Sequence, residues 1–162
     1  MKRLFFLILL LFILPSSACH PAQERANTDL RVIGEQICET LGGKEDFLLA
    51  DEDFWQSNFG SDTGIKEAYV FLGDGDALRE FGVFRLQEPR KASTMKEAIR
   101  AYLAREQSSL AELRALYPEG GLDERLALYR DATVDECDGI VYYFVLNGED
   151  TRRALSVLSE KT

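Results

Sequence analysis

Three sets of side chains in this sequence have the types and spacing that chemistry requires. The first is acidic: Asp51, Glu52 and Asp53 in one run, Asp74 and Asp76 in another. Two carboxylates at a suitable separation can hydrolyse a glycosidic bond, and several together can hold calcium. Neither run has the spacing of an EF-hand loop with its distal glutamate. Asp74 and Asp76 alternate with Gly73 and Gly75, where turn geometry alone accounts for them. The second set is aromatic. Phe54, Trp55 and Phe59 could line a ligand pocket, although such spacing more commonly marks core. The third comprises Cys19, Cys38, Cys137 and the single histidine, His20. A Ser–His or Cys–His pair needs a base held rigidly within hydrogen-bond reach, and His20 lies in a polar tether. Zinc-ligand spacing, a Walker loop, a dinucleotide fingerprint, HExxH and G-x-S-x-G are all missing. The expectation is therefore no catalytic, cofactor-binding or metal-binding residues, and no cofactor.

The address is clearer than the chemistry. Lys2 and Arg3 precede an apolar run of 11 residues from Leu4 to Leu14, followed by Pro15, Ser16, Ser17, Ala18 and Cys19. A basic start, a short apolar core and a small-residue site are the three parts of a secretory signal. As a helix the run rises only about 16 Å, roughly half of a hydrocarbon core. Residues 1–18 read as signal peptide, 19–27 as tether and 28–162 as one α+β domain. Ser17, Ala18 and Cys19 look like the end of a lipobox, which makes Cys19 the expected lipidation site and new N-terminus; Ser16 departs from the usual leucine. Ser16 and Ala18 also suit an ordinary signal peptidase, so free secretion and an uncleaved anchor stay open. The expected location is exported, at the outer face of the membrane by a two-chain lipid anchor or secreted.

Removing the signal with its two basic residues leaves 17 basic against 28 acidic residues, a formal net charge of −11. That surface repels phosphate backbones, so nucleic acid is excluded as the expected partner. With Cys19 lipidated, Cys38 and Cys137 remain, and an oxidising compartment permits a disulfide between them. The alternative is two separate buried thiols.

Periodicity then places the elements. Thr28 to Leu41 reads as a helix capped by Thr28, with Leu30, Ile33, Ile37 and Leu41 on one stripe. Phe47 to Ala50 reads as a short strand and Asp51 to Asn58 as a helical turn. Strands are expected over Glu67–Leu72 and Arg79–Leu86, joined by Gly73–Asp76. A long helix is expected over Thr94–Tyr117, with Thr94 and Glu97 as a capping box, and a shorter one over Leu122–Arg130. Asp138-Gly139 predicts a two-residue hairpin turn between strands Thr133–Cys137 and Ile140–Leu146. Ile140 to Val145 is apolar throughout, as in a strand covered on both faces. A last helix follows Asn147. Hairpins rather than βαβ crossovers imply an α+β fold, an antiparallel sheet with helices packed on it.

That order resembles an uncharacterised bacterial group of small exported proteins, domain-of-unknown-function family 4358. The residues that carry the resemblance are Glu80-Phe81-Gly82-Val83-Phe84-Arg85-Leu86, the long helix up to Tyr117-Pro118, the hairpin from Asp138 to Val145, and the terminal helix, over roughly Arg31 to Leu158. Asp135, Glu136 and the Gly120-Gly121 pair depart from the pattern. The resemblance implies export and the same fold, and supplies no catalytic residues. Two functional classes follow. One is a non-catalytic binding or structural module whose partner is a protein, peptide or cell-wall component. The other is a carboxylate-dependent hydrolase of the cell envelope.

Overall fold

The computed structural model describes residues 29–74 and 79–160. Cys19, His20, Thr28, Gly75 and Asp76 lie outside them. One five-stranded antiparallel sheet runs through the described residues: β1 (Phe47–Leu49), β2 (Ile65–Gly73), β3 (Glu80–Leu86), β4 (Thr133–Cys137) and β5 (Ile140–Val145). Its spatial order is β1-β2-β3-β5-β4. The α+β class, with helices packed on the sheet, is thus as expected.

Strand alternation divides the side chains into two cores. Phe71, Phe81, Val83, Tyr142 and Phe144 point to one face, under α1 (Leu30–Leu41) and α5 (Gly148–Glu160). Val70, Phe84, Val141, Tyr143 and Val145 point to the other, under α2 (Glu52–Phe59), α3 (Ala92–Leu116) and α4 (Leu122–Arg130). Helices on both faces explain why all six residues of β5 are buried. Phe54, Trp55 and Phe59 of α2 join the second core, Phe59 fully and the other two in part. Asp138 and Gly139 both adopt positive φ, 48° and 79°, as the tight hairpin requires.

Two caps differ from expectation. The N-cap of α1 is Asp29, whose side chain accepts the first-turn N–H of Arg31; the expected cap, Thr28, lies outside the described residues. The long helix begins at Ala92, straight out of a 3-10 turn at Pro89–Lys91. Thr94 therefore lies inside the helix and forms no capping box. Proline at the head of that turn presets the helical φ before the chain reaches Thr94. No disulfide joins Cys38 and Cys137. Cys38 is buried on the stripe of α1, and burial pushes its thiol up to about 12. Cys137 closes β4, with its thiol 3.4 Å from Asp138 Oδ2.

Close packing of α1 depends on Gly34. A Cβ there would lie 2.8 Å from Phe71 Cζ, and that ring is already stacked on Phe81 at 4.8 Å. Replacing an interior helical glycine by alanine gains about 0.5–1 kcal/mol of propensity. Overpacking costs about 1–3 kcal/mol, so the steric effect wins. Gly34→Ala should lower the urea midpoint, by a net loss of about 1–2 kcal/mol; a raised midpoint would show that the helix has room to spare.

Candidate functional site

Glu80 opens β3, and alternation sends its side chain to the face of the second core, the face that Phe84 also occupies. It is 6% exposed, and is the only charged residue among the described ones that is buried. Three tyrosine hydroxyls donate to its carboxylate. Tyr102 of α3 reaches Oε1 at 2.8 Å, Tyr143 of β5 reaches Oε1 at 2.5 Å, and Tyr129 of α4 reaches Oε2 at 2.7 Å. Hydrogen bonds to an ionised acceptor are about twice as strong as neutral ones, and they meet the desolvation cost that would otherwise oppose this placement.

Gly82 makes the cluster sterically feasible. It pairs with Tyr143 across the β3–β5 ladder, and a Cβ on it would collide with Tyr143 Cε1. Without that Cβ the phenol ring lies across β3 toward Glu80. Aromatic edges hold the rings in place: Phe59 sits 5.2 Å from Tyr102 and Phe54 sits 6.1 Å from the same ring, both T-shaped.

The pKa values of all three phenols are pushed above the ordinary tyrosine value, first by burial and then by the adjacent Glu80 carboxylate. They stay protonated at neutral pH, which is the state in which they donate. A carboxylate has about four acceptor positions; three are taken, and the fourth lies on Oε2. Above Glu80 opens a cleft of about 360 Å³, walled by Leu48, Phe54 and Leu72 on the apolar side and by Arg79, Glu106 and Arg125 on the polar side. Arg79 is committed elsewhere. It donates to the Leu41 carbonyl, pairs with Asp46 at 3.2 Å and stacks over Phe47 at 5.0 Å. Arg125 is not: its Nε is buried with no partner. Its charge favours ionisation of Tyr129, against the larger effects of burial and of the Glu80 charge and hydrogen bond.

Comparison brings no relative. No family model, curated protein or solved structure matches this chain.

The acidic runs singled out from sequence do not converge. Asp51 caps α2 by accepting the Phe54 N–H, and Glu52 and Asp53 are exposed in its first turn. Asp74 is exposed, its N–H donating to the Asp46 carbonyl. No three His, Cys, Asp or Glu side chains among the described residues are grouped to hold a metal. No helix among them is long and apolar enough to cross a membrane. Sequence reasoning missed Glu80, Tyr129, Tyr143 and Arg125 as a set. The available signal was Gly82 with its register partner Tyr143, a small residue opposite a large polar one.

The raised phenols tie stability to pH. A group whose folded value is raised keeps a proton that the unfolded chain releases. Its contribution is complete below the ordinary tyrosine value of about 10 and falls as pH rises beyond it. Phenolate absorbance from three of the six tyrosines should therefore appear only together with loss of the circular dichroism signal. Full titration of all six near the ordinary value, with the fold intact, would contradict the cluster.

Proposed function

We propose that this chain is an extracytoplasmic, non-catalytic binding module, held at the membrane through lipid on Cys19, whose ligand enters the cleft floored by Glu80. The observation that carries the non-catalytic reading is the proton inventory of the cluster. The buried carboxylate already accepts three hydroxyls, and each hydroxyl holds its proton more tightly than usual. Phenols so held anchor the carboxylate; they do not shuttle protons at neutral pH. The cleft itself retains unmet bonding capacity: the Arg125 Nε donor and the remaining position on Glu80 Oε2. A small ligand bearing an anionic group for Arg125 and a donor for Glu80 answers both. Export and anchoring rest on Lys2 to Cys19, and the resemblance to domain-of-unknown-function family 4358 belongs to the same reading.

One observation favours the hydrolase alternative. Glu80 and Glu106 line the same cleft, and two carboxylates are the minimum equipment for such chemistry. Against it, the Glu106 side chain is 36% exposed, so nothing there excludes water from a reacting bond.

Three experiments address this proposal. Thermal-shift screening against amino acids, small carboxylates and phosphate esters should find compounds that raise the melting temperature. Arg125→Met should weaken them about tenfold or more, the loss of one hydrogen bond to a charged group. Turnover of glycosidase, esterase, peptidase or phosphatase substrates that survives repurification and vanishes in Glu106→Gln would instead establish the hydrolase. Separately, Cys19→Ala should move the protein out of the membrane fraction; unchanged fractionation would overturn the anchor.

A further inference from the structure

The outer edge of β2 is covered along only part of its length. β1 pairs with Phe71 to Gly73, Ala50 N–H adds one bond to the Val70 carbonyl, and the chain then turns away into α2. Backbone direction alternates along a strand. Gly73 N–H bonds Arg79 O on the β3 side, whereas the Val70 carbonyl faces β1. Ala68 lies on the same side as Val70, so its N–H and C=O point outward, where no strand of the described residues pairs with them. A register shift between Ile65 and Glu67 inserts Lys66 at the end of this edge.

A groove of about 870 Å³ runs along it, within the range of ligand sites. Residues 65–69 form one wall, Glu52, Trp55 and Gln56 of α2 form the other, and Lys91 closes the end near Gly64. Its charge opposes that of the whole chain, which is −9. Glu67 is neutralised by Arg85 at 2.7 Å. Lys66 is exposed with no carboxylate partner among the described residues, and Lys91 donates only to the Asp62 carbonyl. Two cations therefore face the groove against the single carboxylate of Glu52, which accepts from the neutral Gln56. The opposite edge of the sheet differs: β4 exposes Asp135 and Glu136, charges that discourage strand addition.

We propose that this groove takes an extended acidic peptide as an added strand on β2, paired through the outward backbone of Ala68, with a peptide carboxylate held by the side chains of Lys66 and Lys91. Backbone pairing supplies affinity in this mode of recognition, and the flanking pockets supply selectivity. The site is separate from the Glu80 cleft.

Trp55 is the only tryptophan and lines the groove, so its emission reports occupancy. The probe is a pool of tryptophan-free peptides about six residues long, rich in valine and threonine and ending in two glutamates. It is titrated into the full chain in detergent. A lysine-ended pool and a pool N-methylated at alternate residues serve as comparisons. The glutamate pool should shift Trp55 emission and slow hydrogen exchange at the Ala68 amide. The other two should bind at least about tenfold more weakly. Lys66→Glu should reverse the charge preference, and Arg125→Met should leave peptide binding unchanged. Failure of the glutamate pool to bind, equal binding by the methylated pool, or unprotected exchange at Ala68 overturns the proposal. Loss of peptide binding in Arg125→Met does so too, by placing the peptide in the Glu80 cleft.

Discussion

One buried carboxylate sets the terms for half of this molecule. Glu80 cannot sit in the second core as an isolated charge, because desolvation would cost several kcal/mol. It is stable there only while hydroxyls from β5, α3 and α4 converge on it. The constraint runs in the other direction as well. Tyr102, Tyr129 and Tyr143 are buried and need acceptors for their O–H groups, and Glu80 is the acceptor for all three. The hydrogen bonds thus fix the position of two helices over the sheet in a way that apolar packing, which is non-directional, does not.

The two faces of the sheet solve different problems. Under α1 and α5 the core is apolar, and precision comes from shape, as where Gly34 admits the Phe71 ring. Under α2, α3 and α4 a polar cluster sits inside an aromatic shell, with Phe59 in edge contact with both Tyr102 and Phe84. Arg79 bridges the two regimes. Next to Glu80 in sequence, it turns the other way, to the end of α1 and the ring of Phe47. Consecutive residues thereby tie the start of β3 to both layers, and the cleft opens at that junction.

Much of the architecture was legible because its causes are local. Asp138-Gly139 specifies a turn by backbone conformation, and the stripe of Leu122, Leu126 and Tyr129 marks α4, observed with the expected bounds. The caps were less legible. Thr28 and Asp29 both suit an N-cap, and Thr94 with Glu97 matches a capping box although Pro89 had already started the helix. The cluster was not legible at all. Its partners lie 22, 49 and 63 residues from Glu80, and a glutamate at the start of a strand reads as solvent-facing until the sheet register places Tyr143 beside Gly82. The acids that stood out, Asp51 to Asp53, stood out because they are clustered in sequence, and they serve as a cap and a solvated turn.

A double-mutant cycle between Glu80 and Tyr143, read by urea denaturation at neutral pH, tests the central claim most directly. Tyr143→Phe alone should cost about 1.5–3 kcal/mol, the value of a hydrogen bond to a charged acceptor. The same change in a Glu80→Gln background should cost distinctly less, giving a coupling energy of about 1 kcal/mol or more between the two positions. Additive effects, with Tyr143→Phe equally costly whether or not Glu80 is present, would mean that the tyrosine stabilises the fold by packing alone and that the carboxylate does not organise the layer above it.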